Sequence, residues 1–186
     1  MFLLTRHQED GDILCLGPEV KVNRLPGTRI LTSKLKLAMR HRQFQLKFGK
    51  EEWNFIPETF CLSEEREEVV EAMVQSAWRE DGVERSDGVS PSPRSVWIVK
   101  PTNLSRGRGI FLATSSLELP GPWQGGQQFL AQRYLTRPAL IKGHKFDMRV
   151  YILLTGVDPL RVFIYRDGVV RWGQNYEQCF ASGRAT

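Results

Sequence analysis

Lys100, Arg106, Gly107, Arg108 and Gly109 are the first residues whose types and spacing point to chemistry. Glycines set between arginines let the backbone turn with positive φ and lie bare against a ligand. Successive N–H groups of such a turn line up on an anion. Lys100 adds a mobile positive charge and the arginines add forked ones, a combination suited to a phosphate chain. No Lys-Ser or Lys-Thr follows the glycines, so this is not the strand–GxxxxGK[ST]–helix loop. The competing reading is a plain hairpin turn with solvated arginines.

A second group of chemically capable residues runs from Lys142 to Arg149. If it enters a strand, the two-residue period puts Lys145, Asp147 and Arg149 on one face and Phe146, Met148 and Val150 on the other. Three charges beside an apolar run are costly to bury unless they pair with one another or with a ligand. Two readings stay open: a surface salt-bridge ladder, or a lysine and an arginine facing phosphate or carboxylate with Asp147 orienting them. Gln128 to Gln132 reads as a strand leading into Arg133, Tyr134 and Leu135. Such an edge, with an apolar wall and a Gln at its exit, suits an adenine ring, though a plain core strand is the better reading of these residues alone. Arg171, spaced by two from Val169, is expected to point away from the apolar face.

These residues need elements to hold them. Val96 to Val99 reads as a buried strand ending at Lys100-Pro101, and Ile110 to Ala113 as a second strand beyond the glycine turn. Arg149–Thr155 and Leu160–Tyr165 form a predicted hairpin joined by Gly156–Pro159, and Asp167-Gly168 a second tight turn into Val169–Trp172. Upstream, Val20–Val22 is a short predicted strand and Pro26-Gly27 suits a type II turn. A helix is predicted from Thr32 to Phe44, capped by Thr32 or Ser33. Its cluster of Lys34, Lys36, Arg40 and Arg42 reads as a solvated face or as a surface for an acidic partner. Trp53 to Phe60 is expected to be extended, because the residue before Pro57 is pushed away from helix, and to serve in packing. Ser63 is expected to cap a second helix, with Glu64 and Glu65 at its positive end and Val69, Val70, Met73, Val74 and Ala77 as its packing stripe, ending near Asp81-Gly82. The Gly-, Ser- and Pro-rich stretch that follows reads as a mobile linker.

The formal charge of +5 over 186 residues favours an acidic partner without naming one. The three cysteines, Cys15, Cys61 and Cys179, form no CxxC pair and their odd number argues against a disulfide framework. His7, His41 and His144 lack metal-ligand spacing. Met1-Phe-Leu-Leu is too short for a signal peptide, and no apolar segment reaches membrane-spanning length. A reducing intracellular compartment is the simplest expectation. Nucleic acid is disfavoured, because the aromatics sit in apolar runs rather than along a basic stripe.

Five motifs then occur in order: Trp97-Ile-Val-Lys-Pro, Ser105-Arg-Gly-Arg-Gly-Ile, Gln132-Arg-Tyr-Leu, Leu140 to Tyr151, and Asp158 to Gly168. Together they resemble the tubulin–tyrosine ligase-like family of ATP-grasp ligases, with fainter echoes at Asn23–Gly27 and Phe55–Phe60. The resemblance implies an α/β, ATP-grasp-like fold of antiparallel and mixed sheets with flanking helices, incomplete at the C-terminus. It implies an N-terminal region over 1–81, a flexible linker over 82–94, a central subdomain over 95–135 and the start of a C-terminal subdomain over 136–186. Members join an amino acid (glutamate, glycine or tyrosine) to a protein carboxylate. ATP activates the acceptor as an acyl phosphate, which the incoming amine attacks.

By resemblance, Lys100 meets the nucleotide phosphates, and Arg106 and Gly107 lie in the loop covering them, with Arg106 also facing a protein carboxylate. Gln132, Arg133, Tyr134 and Leu135 match the adenine-holding hinge, and Lys145, Phe146 and Asp147 the segment on phosphate and ribose. Arg149 and Arg171 match arginines near the reacting carboxylate or incoming amino acid. The family's Mg2+ ligands are expected beyond Thr186, and the stretch after Arg171 departs from the family pattern, so this chain reads as a front part of a ligase. The implied partners are tubulin or microtubules, through their acidic tails, and free glutamate, as in a polyglutamylase. The implied place is the cytoplasmic cytoskeleton, including the cilium or basal body. Two alternatives remain: a glycylase, or a non-catalytic holder of acidic tails through Lys34, Lys36, Arg40, Arg106 and Arg149.

Overall fold

Trp97, Val99 and Pro101 alternate with Ile98 and Lys100, and the period of two decides which side of the strand is buried. In this computed structural model, which describes residues 2–3, 21–22, 25, 27–80, 96–121 and 126–175, those alternating residues form a strand with its odd positions in the core. The elements in chain order are β1 (Phe2–Leu3), β2 (Lys21–Val22), α1 (Arg29–Thr32), α2 (Lys34–Phe48), β3 (Thr59–Cys61) and α3 (Arg66–Glu80). They continue with β4 (Trp97–Pro101), β5 (Phe111–Ala113), a 3-10 turn (Ser116–Glu118), β6 (Phe129–Arg133), β7 (Leu140–Ile141), β8 (His144–Val157) and β9 (Leu160–Asn175).

The strands make a parallel β1–β2 pair, an antiparallel four-stranded sheet in the order β3-β6-β4-β5, and an antiparallel three-stranded sheet in the order β7-β8-β9. The architecture is mixed α/β with antiparallel sheets and few helices. In the four-stranded sheet, Phe60 sits opposite Ala131 and Ala131 opposite Val99, so these side chains share one face with Trp97. Val69 and Met73 of α3 complete the core on that face. Thr59, Ile98, Lys100 and Gln132, all half-buried, share the other face with the buried Cys61 and Leu130. The sheet therefore has an oily side under a helix and a mixed side that carries the polar groups of Thr59, Lys100 and Gln132.

The N-terminal helix is found where expected. Ser33 caps α2 by accepting from the Lys36 N–H at 3.4 Å. Gly27 has φ of 76°, as the third position of a type II turn requires, while Pro26 lies outside the described residues. Trp53 is not simply extended chain: its ring lies 4.5 Å from Phe44 and 5.4 Å from Phe55, which pins the segment after α2 back onto that helix. The predicted 82–94 linker, most of the 120–126 loop and the run after Asn175 lie outside the described residues.

Three sequence expectations are corrected. Ser63 does not open the second helix, which starts at Arg66. The Leu62 N–H still bonds Phe129 O at 3.0 Å, and residues 62–64 then form a turn in which the Glu64 and Glu65 N–H groups close onto Cys61 O at 3.1 and 2.7 Å before the helix begins. Ser63 Oγ turns to Cys61 Sγ at 3.0 Å, and the Glu65 carboxylate reaches back to the Cys61 N–H at 2.9 Å. Asp167-Gly168 is not a tight turn either. β9 runs unbroken past it, and the register slips so that Tyr165 to Asp167 bulge opposite Tyr151. Gly168 is needed there because a Cβ would stand 2.6 Å from Arg149 O. Finally, the charges of β8 do not form one ladder: Lys145 turns to the Tyr134 hydroxyl while Asp147 pairs with Arg171 across the hairpin.

Candidate functional site

Lys100 is carried on the polar face of the central sheet, and its Nζ donates to Gln132 Oε1 at 2.7 Å. Gln132 donates from Nε2 to Thr59 Oγ1 at 2.8 Å, and Thr59 donates to Pro57 O at 2.7 Å. Three strands thus fix the position of one ammonium group. Burial pushes the Lys100 pKa below its ordinary 10.5, and the charges of Lys34 and then Lys145 push it down further. Lysines from α2, β4 and β8 have therefore been brought within electrostatic reach of one another. Like charges held together raise the energy of the empty arrangement, and a polyanion relieves it.

Lys34 is the residue that sequence reasoning placed only on a general basic face. Its Nζ donates to Pro101 O at 3.1 Å and also to Leu104 O, so it clamps the base of the glycine turn. Arg42 of the same cluster is held 3.5 Å from Glu65, and Lys36 and Arg40 are exposed. A signal for Lys34 did exist. It sits in the first turn of α2, where the helix dipole disfavours cations, with no acidic residue to offset it.

The turn itself matches its glycines. Arg106, Gly107 and Gly109 have φ of 60°, 75° and 67°. A Cβ at Gly107 would meet nothing, so that glycine serves its φ alone; at Gly109 it would stand 2.9 Å from Pro101 Cγ. The Arg106 side chain is exposed, and Arg108 Nε bonds Ser105 O at 3.3 Å. This backbone is the kind of cradle a phosphate chain needs, with Lys34 clamped at its base.

The hinge follows β6. Its first two N–H groups are already used: Arg133 donates to Glu58 O at 2.8 Å and Tyr134 to Val96 O at 2.9 Å. The Arg133 side chain stands 3.8 Å from Glu58, and Leu135 is exposed. Tyr134 links the hinge to the hairpin, because its hydroxyl accepts from Lys145 Nζ at 2.8 Å.

The arginines are arranged differently. Asp147 and Arg171 are cross-strand partners joined by two bonds of 2.6 and 2.9 Å. That pairing raises the Arg171 pKa, through the hydrogen bond first and the charge second. Phe146 packs its ring 6.3 Å from Trp172, and Arg149 lies opposite Val169. Among the described residues, no hydrogen bond or ion pair links Arg106, Arg149 or Arg171 to the lysine group. The structure thus gathers Lys34, Lys100, Gln132, Tyr134 and Lys145 into one connected set and leaves the arginines at its margins. No group of three or more His, Cys, Asp or Glu side chains among the described residues could hold a metal ion, so these residues do not fit Mg2+.

Several known proteins resemble this chain over most of its length. Tubulin monoglutamylase TTLL4 of Homo sapiens is 32% identical over 166 residues, covering 89% of this chain and 12% of that protein. A probable beta-tubulin polyglutamylase of Tetrahymena thermophila is 34% identical, covering 88% of this chain and 12% of its own length. Tubulin polyglutamylase TTLL6 of Mus musculus is 33% identical, covering 82% of this chain and 16% of its own. The chain therefore spans a minor part of each relative's length. The description of the tubulin-tyrosine ligase family matches residues 15–179, a span that holds the glycine turn, the hinge and both strands of the long hairpin. With that coverage, and with an α/β architecture of the ATP-grasp-like kind, the chain belongs to the tubulin-tyrosine ligase family.

Proposed function

We propose that this chain carries the nucleotide-handling part of an ATP-dependent ligase that joins glutamate to carboxylates of tubulin tails. The observation that carries the reading is that Lys34 and Lys145, from two other elements, both act on the charge of Lys100, while Lys34 also clamps the base of the glycine turn. Bound ATP supplies the phosphoryl group that activates an acceptor carboxylate as an acyl phosphate. Lys100, Lys34 and Lys145 hold the phosphates, and Arg106 with Gly107 closes over them. Gln132, Arg133, Tyr134 and Leu135 border the adenine, and Phe146 and Asp147 border the ribose. Arg149 and Arg171 meet the reacting carboxylate and the incoming amino acid. Such a set answers a reaction that crowds anions together, since fixed cations stabilise the charge developing in transfer. The central subdomain is assigned to 95–135 and the start of the C-terminal one to 136–186.

Relatives named as glutamylases support glutamate over glycine, and they include both a monoglutamylase and polyglutamylases. The test is incubation with tubulin, ATP and labelled glutamate or glycine. Glutamate incorporation that needs ATP and disappears in Lys100→Ala is expected. Glycine incorporation instead would reassign the chain as a glycylase. Salt-sensitive, ATP-independent co-sedimentation with microtubules and no incorporation would favour the non-catalytic holder of acidic tails.

A further inference from the structure

The two faces of the β8–β9 hairpin differ in what they carry. Paired strand residues share a face, so Asp147 with Arg171 and Arg149 with Val169 lie on one side. Met148 with Val170, Val150 with Gly168, Ile152 with Ile164 and Leu154 with Val162 lie on the other. From Met148 to Leu154 that second face bears no charged or hydroxyl side chain, and none of its residues belongs to the lysine group or the hinge. It is apolar and it is open. Met148, Val150, Ile152, Val162, Ile164 and Val170 are all exposed, and none is part of the buried core.

A strand pair of this kind is marginally stable in water unless packing covers its apolar face. At roughly 100 Å² each, about half of what a large side chain can bury, these six side chains offer about 600 Å² per copy. That exceeds the scattered apolar surface of ordinary monomers and marks a contact surface. Two such faces meeting about a two-fold axis near Ile152 and Ile164 would remove about 1,200 Å² in all, which reaches the range of stable, specific interfaces. The net charge of +5 opposes the approach of two copies. At this face, however, no charge has to be desolvated, because Arg149 and Arg171 stand on the other side. A charged partner finds nothing here to pair with. An identical copy brings an equally flat sheet of branched side chains, and such sheets stack at about 10 Å.

We propose that this chain associates with a second copy of itself, face to face, through the hairpin surface that holds Met148, Ile152 and Ile164. The opposite surface, with Leu153, Phe163 and the Asp147–Arg171 bridge, stays open to solvent in the pair. Nucleotide has no part in the contact, so the proposal stands apart from the ligase reading.

Sedimentation equilibrium of the 186-residue chain over a range of concentrations, without ATP, tests it. A monomer–dimer equilibrium is expected. Ile152→Lys should raise the dimer dissociation constant by about tenfold or more, the size of loss at the centre of an interface. Leu153→Lys, next in the chain but on the other face, should leave it unchanged. Both positions are exposed, and a melting curve checks that each variant is folded. Where Ile152→Lys is not, Ile164→Thr keeps a strand-favouring residue and should weaken the dimer in the same direction. A chain that stays monomeric at every concentration overturns the proposal, as does dimerisation that Leu153→Lys disrupts as much as Ile152→Lys. Flotation with phosphatidylcholine vesicles in place of dimerisation would give the face to a bilayer and overturn it too.

Discussion

The central sheet and the long hairpin are both built from apolar strand sequence, yet they end in opposite situations. In β4, Trp97 has no exposed surface and Val99 none, because α3 and the neighbouring strands cover them. In β8 and β9 no described residue is buried: Phe163 is 57% exposed and Ile164 71%. Trp97 is held by packing, whereas Phe163 is held by its ladder partner Leu153 across the hairpin. The comparison separates what an apolar run encodes, an extended strand, from what it does not encode, the layer that covers it. The chemistry divides along the same line. The lysine anchored to the packed sheet has a perturbed pKa, while the Arg171–Asp147 pair on the hairpin is an open surface bridge.

The largest expected effect tests this division at the core. Trp97→Ala should cost about 3–5 kcal/mol of stability, the usual range for emptying a buried aromatic site. Phe163→Ala should cost less than about 1 kcal/mol, as for an exposed position away from special features. Urea unfolding of the two variants measures both. Equal losses would mean that the hairpin is covered in solution, and the comparison would break.

Next in size is a contrast within the glycine turn. Gly109→Ala combines a φ of 67° with a Cβ 2.9 Å from Pro101 Cγ, whereas Gly107→Ala meets only its φ of 75°. The second should cost about 1–2 kcal/mol for a left-handed non-glycine residue, and the first measurably more. If Gly109→Ala melts at or above the temperature of Gly107→Ala, the turn does not pack on Pro101.

A smaller effect concerns pH. Because the Lys100 pKa lies below 10.5 in the folded chain, the unfolded chain binds its proton more tightly. Stability contributed at this site should therefore rise as pH climbs from the lowered pKa towards 10.5, and fall again as pH drops back through it. Melting temperatures across alkaline pH should show that rise in the parent and lose it in Lys100→Met. An unchanged pH profile would remove the burial argument. The smallest effect belongs to Asp147→Asn on the exposed bridge, where melting should move within the scatter of replicates. A large drop there would show that the hairpin depends on this pair.

Much of this arrangement was legible because it is local. The β4 alternation, the glycine turn, the Ser33 cap and the Gly156–Pro159 connection all follow from residues within a few positions of one another. What was not legible depended on distant partners. Lys34 finds its carbonyl acceptors 67 and 70 residues away, and no periodicity announces that. Ser63 looked like a cap, but the sheet partner Phe129 holds the Leu62 N–H and a turn closed on Cys61 O intervenes before the helix starts at Arg66. Asp167-Gly168 carries the residues of a turn, but the close approach of the Arg149 carbonyl puts the glycine to a different use. The Lys142-Gly143 turn between β7 and β8 was missed for a simpler reason. Both residues have positive φ, of 52° and 77°, and a lysine at such a position is not a strong turn signal.

The central claim is that the three lysines form a receptor for a triphosphate. Calorimetric titration of ATP into the 186-residue chain and into its Lys100→Met variant tests it most directly. Saturable binding in the parent and none in the variant, with both folded, is expected. Equal binding by the two proteins would contradict it.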